Sequence, residues 1–220
     1  MALRQQFLRM EDSTLQALLD VKPIIEKNID SILDEFYGFV TQFPELNVLF
    51  TSDDVLNHAR RAQRRHWLEN IFAGNFGKQY MQSAYTIAKV HERIGLKPEY
   101  YLGGYEMVLE RLLSLLDLHF QPTLSNKLMG QTKRCFARLS CLRNAVMQAV
   151  FLDMGIVIDV YFAEVQKTSA ATIVHLSNDF EANIGQIVSS VSQLASEMKT
   201  VSEIMAAAAT EGSQQASLVA

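Results

Sequence analysis

Turn-forming residues are scarce in this chain, with 10 glycines and 4 prolines among 220 residues. A sheet built on many tight hairpins needs more of both, so the composition points to an all-α fold. Cysteine is scarcer still. Cys135 and Cys141 are the only two, and their separation along a helix amounts to roughly 240° net, which sends them to different faces. That spacing excludes a local disulfide and a CxxC metal clamp, and a reducing compartment is compatible with it. Charge of one sign is also lacking, since 20 Lys and Arg stand against 24 Asp and Glu for a net charge of -4. The chain as a whole has no electrostatic reason to bind nucleic acid or an anionic membrane. Residues 1–10 hold Arg4 and Arg9 but no apolar run of signal-peptide length, and nowhere does an uninterrupted apolar stretch reach the roughly 18 residues of a spanning helix. The default location is the cytoplasm. The zincin HExxH, the hydrolase GxSxG, the P-loop and the dinucleotide GxGxxG are all missing, and His58, His66, His91, His119 and His175 show no zinc-ligand spacing. No enzyme activity is expected from these residues.

What the chain has is apolar residues in helical order. Hydrophobic residues make up 49% and charged residues 20%, a globular balance rather than a disordered one. Asp12 and Ser13 cap a helix carrying Leu15, Leu18, Leu19 and Val21, and Pro23 then calls for a kink or a new start. From Pro23 to Phe43 the set Ile25, Ile29, Ile32, Leu33, Phe36, Phe39 and Val40 recurs at three and four. Ser52, Asp53 and Asp54 open a further helix running to about Phe72. Another runs from about Lys78 to Arg93 and ends at Gly95, and Pro98 opens an apolar, central helix that Pro122 stops. From Thr123 onward the pattern stays helical, far beyond an ordinary helix of about 12 residues.

The stretch His91-Glu92-Arg93-Ile94-Gly95-Leu96-Lys97-Pro98-Glu99-Tyr100-Tyr101 puts a histidine in the last turn of one helix, then a glycine cap, then a proline-started helix. An imidazole there is held near a rigid corner. It complements the helix dipole on a structural reading, and on a functional one it is an axial ligand for haem iron, with apolar helices forming the slot.

The ordered set Ala62-Gln63-Arg64-Arg65-His66-Trp67, Phe72-Ala73-Gly74, Tyr80, the HxRIGLxPxxY corner and Gly103-Gly104-Tyr105 resembles the haem domain of the globin-coupled sensors. Among them it is similar to the haem-based aerotaxis transducers. The resemblance spans roughly residues 10–160 and is most specific at the corner. It implies a globin-like fold with His91 as the proximal iron ligand, Tyr101 as the tyrosine that contacts that histidine, and Ile94 and Leu96 beside it. Tyr37 matches the distal tyrosine, where a phenol can donate to the partly negative oxygen of dioxygen while its ring fills an apolar pocket. Gln63 falls where some members carry a small polar pocket residue, with Ala59, Ala62 and His66 on the same stripe; Gln63 facing solvent is the alternative. His66 belongs to the family's His-Trp pair and reads as structural. No CxxCH occurs, so the cofactor implied is non-covalent haem b. Oxygen is the implied ligand, with carbon monoxide and nitric oxide as further ones.

Arg60, Arg61, Arg64 and Arg65 form a basic stripe that reads first as a solvated face, second as a contact for haem propionates, and only third as a nucleic-acid surface, because aromatic interleaving is absent. Beyond it, Ile184, Ile187, Val191, Leu194, Met198, Val201, Met205 and Ala208 alternate three and four, an a/d seam of about three and a half heptads. Leu176, Phe180 and Ile184, spaced four and four, resemble a stutter. Such a seam needs a partner, either a second copy of the chain or a return helix of the same hairpin. Leu176 to Gly185 together with Met205 to Glu211 resembles the start of the chemoreceptor signalling hairpin, and the Ser/Gln-rich end suggests a chain cut from a longer protein. The expectation is therefore a globin-like haem sensor over residues 1–165. A coiled-coil linker and the start of a signalling domain follow over 166–220, dimeric through the last globin helices and the coil, with a chemotaxis adaptor and kinase as eventual partners. The alternatives are a haemless globin-fold dimerisation or interaction module, and the sensor input of a histidine kinase or cyclase.

Overall fold

Glu11 caps the second helix by a reciprocal box, its side chain accepting from the Thr14 backbone while Thr14 Oγ1 accepts from the Glu11 N–H. A computed structural model describes residues 1–219, and the side chains of Lys127 and from Gln214 onward, in the Ser/Gln-rich end, lie outside the described residues. Every regular element among the described residues is helical: α1 Ala2–Phe7, α2 Asp12–Val40, α3 Pro44–Asn47, α4 Asp53–Arg65, a π turn His66–Ile71, α5 Lys78–Arg93, α6 Pro98–Phe120, α7 Leu124–Leu128 and α8 Thr132–Val219. The chain divides into two compact units, Met1–Glu164 and Val165–Ala220.

In the first unit Leu18, Val21, Ile25, Ile29 and Leu33 of α2 meet Val108, Leu112 and Leu116 of α6 and Leu142, Val146 and Val150 of α8 in one buried cluster. These are the positions at which helical spacing puts an apolar stripe. Pro23 does not start a new helix; it sits inside α2. It is exposed, as is Leu19, so the Leu19 carbonyl that loses its N–H donor faces water and not the core. Phe39 is exposed as well, its ring edge on Phe43, so the apolar set read over Pro23–Phe43 is not wholly buried. The helix read as running from Ser52 to Phe72 changes type at His66, where the Phe72 N–H reaches back to Trp67 O at 2.8 Å, five residues away. His66, Trp67 and Leu68 of this wider turn are all buried. Near residue 130 the helical reading from Thr123 is interrupted, because Gly130 adopts φ +68° between α7 and α8.

Gly95 holds φ +73° at the end of α5, and a Cβ there would meet nothing within 4 Å. Gly95→Ala therefore costs only the left-handed backbone strain, about 1 kcal/mol in a urea melt. An unchanged midpoint would show that the corner relaxes to negative φ. In the second unit Ile184, Ile187, Val191, Leu194, Met198, Val201 and Met205 are all exposed on the single chain. Within α8 lies an 18-residue window of mean hydropathy 1.7, enough by composition to cross a membrane, which the count of uninterrupted apolar residues did not register; half of that window is buried inside the fold.

Candidate functional site

His91 is half-buried in the last turn of α5, and its Nδ1 donates to Ile87 O at 2.9 Å. With that nitrogen committed, Nε2 carries the lone pair. Nε2 has no hydrogen-bond partner, and no sealed-off side-chain nitrogen or oxygen lacks one among the described residues, so Nε2 opens onto accessible space. Burial pushes the His91 pKa down, against a lift from the Ile87 carbonyl, and the ring is neutral at neutral pH. Tyr101 sets its ring edge-on to His91, the centroids 5.0 Å apart. Its hydroxyl does not bond the imidazole; it donates to Tyr105 Oη at 3.3 Å. Ile94 is exposed at the helix end, and Leu96 is half-buried, with its carbonyl accepting from Tyr161 Oη at 2.7 Å.

Tyr37 is buried on α2, its ring between those of Phe36 at 5.0 Å and Phe50 at 5.8 Å. The same accounting opens its hydroxyl to accessible space, since it makes no hydrogen bond among the described residues. Burial raises its pKa well above that of an ordinary phenol, so it stays a donor. Ala59, Ala62 and Gln63 of α4 are half-buried, and Gln63 makes no side-chain hydrogen bond among the described residues. The arginine stripe splits: Arg60 pairs with Asp34 at 2.6 Å and Arg64 with Asp30 at 3.0 Å, while Arg61 and Arg65 are exposed. Two of the four arginines thus hold α4 on α2.

His66 is not placed to bind a ligand. Its Nε2 faces Asp153 Oδ2 at 3.0 Å and its Nδ1 faces Asn70 Nδ2 at 3.1 Å, with both His66 and Asp153 buried. Tyr80 donates to Asp153 Oδ1 at 2.5 Å and Tyr105 donates to Oδ2. Sequence reasoning gave Asp153 no role. The signal was there as a single carboxylate at core spacing in the stripe Val146, Val150, Asp153, Val157.

One imidazole with an open Nε2, a backbone-anchored Nδ1 and a tyrosine ring set against it is a donor arrangement that fits haem iron. The model of the protoglobin family matches residues 1–167. The chain belongs to the protoglobin family. Its fold agrees with solved globin domains: that of a Geobacter sulfurreducens globin-coupled sensor superposes with a TM-score of 0.63 at 22% identity, covering 73% of this chain and 97% of that one. The ferric globin domain of E. coli DosC gives 0.57 at 16%, covering 72% and 99%. The heme-based aerotactic transducer HemAT of Halobacterium salinarum is 26% identical over 115 residues, 52% of this chain and 24% of its own length. This protoglobin thus spans about a quarter of that relative.

Proposed function

We propose that the protein is a haem-based gas sensor, with His91 Nε2 holding non-covalent haem b and oxygen as the ligand; carbon monoxide and nitric oxide take the same site. The observation that carries this is the open Nε2 of an imidazole whose other nitrogen is fixed to Ile87 O. Haem, when bound, would supply an iron able to take a diatomic gas. Tyr37 then offers its O–H to the gas from an apolar wall of Phe36 and Phe50, and Ala59, Ala62 and Gln63 complete the distal side. Residues 166–220 pair with a second copy along the exposed Ile184–Met205 seam and pass the ligand state to a chemotaxis-type output read by an adaptor and kinase. Such a sensor works in the cytoplasm, and its transmitting part is not itself an enzyme.

The test is the absorption spectrum of the protein reduced under nitrogen and then exposed to air. A five-coordinate ferrous spectrum that converts reversibly to an oxy form supports the reading; no stable Soret band after reconstitution makes the haemless interaction module the better account. Tyr37→Phe removes one hydrogen bond of about 1.4 kcal/mol, so oxygen leaves about 10-fold faster in stopped flow. An unchanged rate would place Tyr37 outside the ligand's reach.

A further inference from the structure

Asp153 touches neither His91 nor the distal side, yet it collects hydrogen bonds from three elements: His66 on the π turn, Tyr80 on α5 and Tyr105 on α6. A buried carboxylate is costly to desolvate, and an apolar side chain of similar size commonly serves stability as well or better. Its position therefore calls for an explanation other than packing. The bonds lead on from Asp153 to Tyr105, from Tyr105 Oη to Tyr101 Oη at 3.3 Å, and from the Tyr101 ring edge to His91 at 5.0 Å.

The face of α8 that carries Asp153 serves the same corner. Val157 and Val160 pack with Ala88 and Tyr101 in a small cluster separate from the main core. Tyr161 donates to the carbonyl of Leu96, and Lys89 Nζ meets Glu164 Oε2 at 3.0 Å. Residues 153, 157, 160, 161 and 164 share one helical face. That helix is the one that continues past Glu164.

The geometry points to a positioning relay in which Asp153, through Tyr105 and Tyr101, ties the plane of the His91 ring to α8. An apolar contact alone leaves a ring free to slide. A carboxylate accepting from three fixed donors does not, and it pins Tyr105, which pins the Tyr101 hydroxyl and so the edge that meets His91. The 3.3 Å Tyr101–Tyr105 bond is the longest of these hydrogen bonds and the one that yields first when His91 moves. The inference deepens the proposed function and rests on His91 being the haem ligand.

Two measurements test it on the full chain in wild type, Tyr105→Phe, Tyr101→Phe, Asp153→Asn and, as a control for core damage, Leu142→Ala, about three turns earlier on α8. In the apoprotein, the ring signals of His91 in NMR shift in the first three variants while those of His58 and His119 stay, and Leu142→Ala leaves all three alone. In the haem-loaded ferrous protein, the iron–histidine stretching band shifts in the same three and haem dissociates about 10-fold faster. Should Asp153→Asn fail to fold, Tyr101→Phe still removes the far link without touching the carboxylate. Unmoved His91 signals and an unmoved band overturn the relay, even where haem binds and depends on His91. A chain that takes up no haem but whose His91 signals move keeps the relay and overturns the haem assignment instead.

Discussion

His91→Gly is expected to abolish the Soret band of the reconstituted protein, and free imidazole in the buffer to restore it. The single open nitrogen is Nε2, and the ring's one hydrogen bond runs within its own helix to Ile87 O. Removing the ring therefore takes away the proposed ligand and its edge contact with Tyr101, and little else. Haem affinity should fall by at least about 100-fold, the upper end of what losing a ligand's supporting partner costs. The apoprotein, by contrast, should lose only about 1 kcal/mol, the helix-propensity penalty of glycine near a helix end. Imidazole can re-enter the space and reach the iron without a covalent link to α5. Absorption titration with haem, with and without imidazole, decides the matter. A band that survives the substitution unchanged would mean that another side chain binds the iron, and His66, locked between Asp153 and Asn70, is not free to do so.

The largest effect on stability is expected from Asp153→Ala. It strands three donors, on Tyr80, Tyr105 and His66, in the core, and breaking a buried charged network of this kind costs about 3–5 kcal/mol. Urea unfolding of the apoprotein measures it, and a loss under about 1 kcal/mol would show that water enters and satisfies the donors. The acid dependence has a definite sign. Burial pushes the Asp153 pKa up, but the facing His66 and the hydrogen bonds from His66, Tyr105 and Tyr80 bring it below the ordinary carboxylate value. A carboxyl depressed in the folded state contributes stability that is complete above its unfolded pKa of about 3.9 and is lost as pH falls through the folded value. The advantage of wild type over Asp153→Asn should thus be constant above about pH 5 and shrink below about pH 4. An advantage that grows on acidification would put a raised pKa on Asp153.

Much of this was legible in the sequence because it is local. The α2 core face shows in the spacing of Leu18, Val21, Ile25 and Ile29, and the His91 corner in a glycine and a proline that each do one backbone job. Pro23 left a kink and a new start both open because its face is not legible from proline alone; on the exposed side of α2 the lost hydrogen bond goes to water, and the helix runs on. Asp153 was hidden for a different reason. Its partners His66, Tyr80 and Tyr105 lie far away in the chain, and no short motif joins residues that meet only through folding. The stripe of Ala59, Ala62, Gln63 and His66 is drawn by spacing alone, and it separates only on folding, where His66, at the head of the wider π segment, is buried on Asp153 while the other three stay half-buried.

That wider segment bears on how the chain is compared with its cousins. A π turn is an α-helix that has taken in one residue, and an added residue ordinarily rotates everything after it by about 100°. Here the surplus is confined to His66–Ile71 and the left-handed Gly74 follows almost at once, so α5 starts afresh and inherits no rotation. A cousin with a plain α-helix at this place would keep the same fold one residue shorter. An alignment of the two should open a single-residue gap between the distal residues and His91.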